Sequence, residues 1–422
     1  MAANHEYLFS GAKFAVYTWY GCEVETTGPT LVAYQSSETP MIQYVNSHSQ
    51  LEARRTRALE ELQTGRGAAN GPRVIVVGPP DSGKTALACI LAAYAVRMGR
   101  TPTYVDLDVS AGQITVPGVL AAAAMDQTTL SIEEGFTLAA PLVFHYGHTH
   151  PADNPELYKL LVEELASAVE QRQTNDPEAR TAGLVVNTCG WIEGVGYQLL
   201  LHAVGALAAD VVLVMGHDRL YADLTAGLPD AVVVVKVPRS GGVVQRDVEY
   251  RRRERATRIR EYFYGAGAGG AAAGAGGGSG GPLGRPAAAP PLSPSVLELK
   301  LDDVRVYRVG GAQISDSMLP LGQASLLGPT RVARVRPTAE LTHSLLAVCH
   351  PVLTPDGTVV GQEVAGGEDD ERAAQELLRS NAAGFVYVTE VNMETRRMTV
   401  LTPCPGALPS NYLFVGNIKW AE

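Results

Sequence analysis

The sequence predicts an α/β protein built on a central parallel sheet, with strand-rich segments before and after it. Three observations predict it. From residue 72 to 263, short Val/Ile/Leu runs alternate with longer helical stretches, the rhythm of parallel strands covered on both faces. A G-x-x-x-x-G-K-[ST] motif, Gly78–Thr85, joins the first run to the first of those helices. A Gly/Ala/Pro-rich stretch at 264–294 then separates this body from a second strand-rich portion.

Taken in order, residues 1–66 read as a small N-terminal β unit. Phe14–Trp19 and Thr30–Tyr34 are rich in aromatic and β-branched residues, and Gln50–Gln63 reads as a helix closed by Gly65 and Gly67. Residues 67–263 form the α/β unit. Its strands are expected at Arg73–Val77, Thr103–Leu107, Gly183–Val186, Val211–Met215 and Ala231–Val235. Its helices are expected at Lys84–Met98, Pro155–Arg172, Gly196–Ala208 and Arg251–Tyr262. Residues 264–294 bury nothing worth their ordering entropy and read as a flexible linker or inserted loop. In 295–422, strands are expected at Val296–Val309, Gly384–Val391 and Met398–Leu401, the last two pairing around Asn392–Arg397.

Composition narrows the class. The 422 residues are 46% hydrophobic and 18% charged, a globular balance. No apolar run reaches the roughly 18 residues of a membrane span, and the first thirty residues lack a signal-peptide plan. The net charge of −10 excludes a basic nucleic-acid coat, though not a local basic site. Cys22, Cys89, Cys189, Cys349 and Cys404 form no CxxC pair, which points to reduced thiols in the cytosol or nucleus and away from zinc.

The chemistry concentrates around the phosphate loop. Gly78 and Gly83 let backbone N–H groups turn inward around phosphate oxygens, with Asp81, Ser82 and Ala86 completing the loop and first turn. Lys84 would reach the β- and γ-phosphates, and the Thr85 hydroxyl would take a place on Mg²⁺. Asp106 and Asp108 follow at the end of the next strand. One suits a metal-bound water and the other the proton of an attacking hydroxyl, unless they are merely an acidic strand end. No N-K-x-D motif reads guanine, no G-x-S-x-G elbow occurs, and Ser110–Gln113 is too close to Asp108 to be a transporter signature.

Arg251–Arg260 carries six arginines and one glutamate. Helical spacing puts Arg251, Arg255 and Arg258 on one face and Arg253 and Arg260 on another. Such a helix suits a lid over a transferring phosphoryl, a grip on an RNA backbone, or a plain solvated face. Trp191, ending Asn187-Thr-Cys-Gly-Trp, either stacks on a base or packs in the core. His145, His148 and His150 lack a carboxylate partner, so no metal is expected there.

Several blocks in order give a resemblance: Gly11–Cys22, Gly78–Thr85, Tyr104–Val109, Glu133–Phe136, Ala140–Val143, Asn187–Trp191, Ser240–Val244 and Ile259–Gly265. The chain resembles the RNA 5′-hydroxyl kinases that are also subunits of the pre-mRNA 3′-end cleavage and polyadenylation factor. That resemblance implies a central P-loop NTPase domain, a small and shortened N-terminal β domain, and a C-terminal α+β domain. It implies ATP and Mg²⁺, with the γ-phosphate passing to an RNA 5′-hydroxyl. By position it makes Asp108 the activating carboxylate, puts Arg255, Arg258 and Arg260 on the lid, and puts Thr188 and Trp191 on the clasp around the RNA end. It also makes Lys13 an ATP contact. The implied partners are RNA, cleavage-factor subunits including the one that binds the polymerase tail, and the tRNA splicing endonuclease. The implied compartment is the nucleus, and no membrane is involved. Two departures are Ala111, where kinase members carry Gln, and Asp106, which replaces Glu or Asn. The family also contains ATP-bound scaffolds without transfer, and that is the alternative expectation.

Overall fold

The structure, a computed structural model, describes residues 6–7, 15–30, 32–65, 69–126, 130–131, 135–136, 140–265, 292–310, 328–353, 359–360 and 368–421. Its first regular element is helix α1, Met41–Thr64. The helix expected from Gln50 thus starts directly after Pro40, whose carbonyl accepts from the N–H groups of Gln43 and Tyr44. It stops at Gly65, which takes the left-handed conformation (φ 67°) and donates its N–H to the Glu61 and Leu62 carbonyls. α1 packs on the α/β body. Buried Arg55 donates to the Ala182 carbonyl at 2.8 Å, and Arg54 and Glu52 pair with Asp210 and Arg100. Before α1, the strands expected over Phe14–Trp19 and Thr30–Tyr34 are not formed among the described residues. Two short strands alone are marginal in water, and Trp19, Tyr20, Val32 and Tyr34 stay exposed.

The central strands are β1 (Arg73–Val77), β2 (Thr103–Asp106), β3 (Val119–Ala124), a two-residue pair β4 (Leu130–Ser131) and β5 (Gly135–Phe136), β6 (Leu142–His145), β7 (Leu184–Asn187), β8 (Val211–Met215) and β9 (Val233–Val237). The helices among them are α2 (Lys84–Arg97), α3 (Pro155–Asn175), α4 (Pro177–Ala182), α5 (Val195–Ala206), α6 (Asp218–Gly227) and α7 (Val248–Tyr264). The sheet order is β6-β3-β2-β7-β1-β8-β9. β2, β7, β1, β8 and β9 run parallel; β3 pairs antiparallel with β2, and β6 antiparallel with β3, so that β3 alone runs against the others. Val74–Val77 are wholly buried, as continuous apolar runs in a doubly covered sheet must be. From β1 the chain moves to β2 on one side, and from β7 it moves to β8 on the other. The crevice beyond the strand ends of β1 and β7 is therefore the place where such sheets bind ligands.

The C-terminal portion forms a second seven-stranded sheet from β10 (Ser295–Lys300), β11 (Arg305–Val309), β12 (Val332–Val335), β13 (Ser344–Cys349), β16 (Ala382–Asn392), β17 (Arg397–Thr402) and β18 (Tyr412–Lys419). The two-residue β14 (Val352–Leu353) and β15 (Val359–Val360) pair separately, and α8 (Glu368–Leu378) precedes β16. The single run expected over Val296–Val309 is two strands, broken by a turn at Leu301–Asp303 where two aspartates follow one another. The expected hairpin is formed: Asn392 pairs with Arg397 and its side-chain oxygen accepts from the N–H groups of Glu394 and Thr395. One face of the sheet buries Leu346, Val386, Val400 and Leu413 in its own core. The other joins the central core through Tyr387, Phe414 and Trp420.

The two sheets meet backbone to backbone. Asn417 N–H donates to the Gly147 carbonyl at 2.7 Å, and a Cβ on Gly416 would lie 2.1 Å from that oxygen. Asn417 also bonds His148, and Asn154 donates to the Pro329 carbonyl. At the Gly/Ala/Pro-rich stretch, whose residues 266–291 lie outside the described residues, the flanks touch: Leu292 N–H donates to the Tyr264 carbonyl at 3.0 Å.

His145 sits at this junction beside Phe385, with both ring nitrogens buried and unpartnered. Burial, reinforced by His148, pushes its pKa down to about 3. An unfolded chain binds that proton near 6.5, so stability is complete above that pH and declines as pH falls from 6.5 towards 3. Between pH 7 and pH 5 the wild type should lose about 2 kcal/mol more than His145→Leu, read from urea midpoints. Equal losses in the two proteins would show that His145 is free to protonate where it sits.

Candidate active site

The phosphate loop follows β1 and leads into α2. Gly83, at φ 92°, is the N-cap of α2 and offers no side chain to the first turn, which also holds no acidic residue. Helices α3, α4, α6 and α7 are instead capped by Asn154, Asp176, His217 and Asp247. The N–H groups at the start of α2 are thus left for an anion. A Cβ on Gly83 would press on Val243 at 3.2 Å, so the loop lies tight beneath that residue. Lys84 is buried and its ammonium curls back to donate to the Pro79 carbonyl at 2.9 Å. Burial lowers its pKa below the ordinary lysine value, with the Asp108 and Asp81 carboxylates pulling the other way. The Ser82 hydroxyl is buried without a partner.

Asp106 ends β2 at the same sheet level as Asn187 of β7, and Asn187 in turn pairs with Val76 of β1. Asn187 donates to the Asp106 carboxylate at 3.0 Å, and its side-chain oxygen accepts from the Thr85 hydroxyl at 3.4 Å. A hydrogen-bonded chain therefore runs from the Thr85 hydroxyl at the start of α2 through Asn187 of β7 to the Asp106 carboxylate of β2. Burial and the neighbouring Asp108 charge push the Asp106 pKa up to about 7. Asp108 lies beyond the strand, so alternation along β2 does not place it. A turn does: the Asp108 N–H donates to Asp106, and Asp108 accepts from both the N–H and the hydroxyl of Ser110.

On one flank, the segment 239–251 closes over the loop. Arg251 donates from one nitrogen to both Asp81 carboxylate oxygens, at 2.8 and 2.7 Å. On the other flank, Gly190 lies against the loop so closely that a Cβ would meet Pro80 N at 2.6 Å. Trp191 follows, half-buried, its ring 5.2 Å from that of His150 and pressed on Gly196.

Three family models match the chain. One is described as the mRNA cleavage and polyadenylation factor CLP1 P-loop, over residues 78–265. The second is the pre-mRNA cleavage complex II protein Clp1, over 292–422, and the third is the N-terminal β-sandwich domain of polyadenylation factor, over 1–58. An Arabidopsis thaliana protein named "Protein CLP1 homolog" is 42% identical over 414 residues, 97% of this chain and 84% of that protein. The chain belongs to the Clp1 family. The Homo sapiens protein named "Polyribonucleotide 5'-hydroxyl-kinase Clp1" is 39% identical over 423 residues, 100% of this chain and 88% of that one. A solved structure of a wild-type Clp1p–Pcf11p complex has the same fold, with a TM-score of 0.68 at 24% identity. It covers 90% of this chain and 80% of that one.

A Clp1-type P-loop is a nucleoside triphosphate site, and the residues here fit one. α2 is uncapped, the Ser82 hydroxyl is unspent, Lys84 needs only to leave its own loop carbonyl, and Thr85 is held by a long, weak bond. Gly78, Asp81, Ser82, Gly83, Lys84, Thr85 and Ala86 all lie on the loop or first turn, Ala86 offering backbone only because its side chain faces outward. Asp81 departs from a free nucleotide contact, since Arg251 occupies its carboxylate. Thr188 is buried and donates its hydroxyl to the Val76 carbonyl at 2.8 Å, so that side chain ties the clasp to β1. Arg255 is half-buried and its pKa is lowered by burial and by the charges of Arg251 and Arg252. Arg258 pairs with Glu261 on its own helix, and Arg260 is exposed, about 180° around α7 from Arg251. Lys13 lies outside the described residues.

The sequence assigned no role to Asn187, Arg239 or Arg246. Asn187 had a signal in being the polar end of an apolar strand, but only strand order shows that it stands between Asp106 and Thr85. Asp247 caps α7 by accepting from the Tyr250 N–H at 2.7 Å, which starts that helix three residues before the arginine run.

Proposed function

We propose that this Clp1-family chain transfers the γ-phosphoryl group of ATP to the 5′-hydroxyl of RNA and serves in pre-mRNA 3′-end cleavage and polyadenylation. The observation that carries this is the joining of an uncapped, lysine-bearing phosphate loop to the Asp108 carboxylate, with Gly190 pressed on that loop and the half-exposed Trp191 next in the chain. Relatives named polyribonucleotide 5'-hydroxyl-kinase support it. Lys84 and the α2 amides hold the phosphates, and Arg255 faces the developing charge from the lid. Thr85 would hold Mg²⁺, with Asp106 behind it through Asn187. An ion held there would supply positive charge to the phosphates. Asp108 accepts the proton from the RNA hydroxyl as that oxygen takes the phosphoryl group. Trp191 offers an aromatic face to the terminal base.

The same proposal includes RNA binding, a nuclear location, and as partners a cleavage-factor subunit of the Pcf11p kind seen with a solved relative, together with the tRNA splicing endonuclease. A second reading, an ATP-bound scaffold without turnover, is favoured by Ala111, which stands where kinase relatives are expected to carry Gln. The test is γ-labelled ATP with a 5′-hydroxyl RNA oligonucleotide, wild type beside Lys84→Ala. Label on RNA with wild type alone supports transfer. No label, with ATP retained on the protein, turns the conclusion to the scaffold.

A further inference from the structure

We propose that Arg251 is a positioning residue: through Asp81 it latches the lid helix onto the phosphate loop, so that Arg255 is held over the site before any nucleotide arrives. The activity arm of this proposal rests on the kinase function above; the structural arm does not.

Asp81 is the meeting point of one continuous segment. Arg251 bridges both carboxylate oxygens, the Arg246 N–H donates to one of them at 3.1 Å, and Arg239 donates to the Asp81 carbonyl at 2.9 Å. Arg246 is itself steadied by Glu254 at 3.3 Å and lies over the Tyr250 ring. Val243 covers Gly83 between these contacts. Asp81 holds a positive φ of 52°, a conformation costly for a residue with a side chain. It is kept there by partners that all come from the lid side.

The other end of α7 is fixed by different means. The Tyr262 hydroxyl accepts from the Phe385 N–H at 3.0 Å, and Phe263 is fully buried in a stack on Trp420. A helix of this length spans about 25 Å. It is moored at its C-terminal end in the second sheet and at its N-terminal end on the phosphate loop, with Arg255 and Arg258 between. Exposed ion pairs do little, but the Asp81 side chain is only 15% exposed, and charge-assisted bonds in partial burial are less screened. Arg251 has its guanidinium on Asp81 and touches no reacting atom, so its effect on transfer passes through Arg255.

The experiment compares full-length wild type with Arg251→Ala, Arg251→Lys, Asp81→Asn and the double variant Asp81→Asn/Arg251→Ala. Hydrogen exchange without nucleotide should rise about tenfold or more across 240–254 in Arg251→Ala, leave 262–264 unchanged, and return close to wild type in Arg251→Lys. With ATP and 5′-hydroxyl RNA, Arg251→Ala should lower kcat about tenfold while KM for ATP shifts less than about threefold. The double variant should be no worse than the worse single, as two ends of one contact require. Exchange in Arg251→Ala equal to wild type overturns the latch, as do additive losses in the double variant. If the wild type transfers no phosphate, the kinase function fails and the exchange result alone decides the latch.

Discussion

Asp108→Asn is expected to lower kcat for RNA 5′-phosphorylation by about 10²–10⁴-fold, the usual worth of a positioned general base. ATP affinity should stay within a few-fold of wild type. Asn keeps the acceptor oxygen that Ser110 N–H and hydroxyl bond, at 3.1 and 2.7 Å, so the turn beyond β2 should survive. What is lost is the charge and the capacity to take a proton. Among the described residues nothing bonds the second carboxylate oxygen, which is the one left to meet a substrate hydroxyl. Steady-state kinetics beside calorimetric ATP binding would check this. Transfer and ATP binding lost together would show that Asp108 holds the nucleotide or its metal instead.

Gly416→Val is expected to destabilise the fold by about 4 kcal/mol or more. A single added carbon would lie 2.1 Å from the Gly147 carbonyl oxygen and 2.4 Å from its Cα, both backbone atoms. Gly147 cannot retreat without giving up the bond from Asn417 N–H, and it also carries the loop that leads to His150, whose ring lies against Trp191. Either the two sheets separate or the clasp moves. Gly205→Ala is the control: α5 has no neighbour within 4 Å of that Cβ, so the change should stabilise by about 0.5–1 kcal/mol. Urea midpoints of the three proteins decide the matter, and a mild Gly416→Val would mean that the junction is looser than its distances imply.

The parallel core was legible because its signals are local. Arg73–Val77 and Val211–Met215 form strands over the residues expected, since continuous apolar runs mark strands buried on both faces. β9 lies two residues later than expected because its register is set by β8, a partner distant in sequence. β3 and β6 were missed altogether: Val119–Ala124 is mostly alanine, a poor strand former that is a strand only because β2 and β6 flank it. The site divides in the same way. The loop residues and both aspartates were readable from spacing, but whether a side chain is free or spent was not. Thr188 and Asp81 are committed to Val76 and Arg251 by folding partners more than 100 residues away.

The contact between Tyr264 and Leu292 bears on how this chain can change. The backbone leaves α7 and returns to β10 across one hydrogen bond, so residues 266–291 set no distance between the two bodies. Doubling such an excursion costs only about 0.6 kcal/mol in closure entropy. The position is a graft point. Its composition can drift towards glycine and alanine, shrink to a tight turn, or accept a fluorescent module, while the tip of the lid stays tied to the neighbouring sheet.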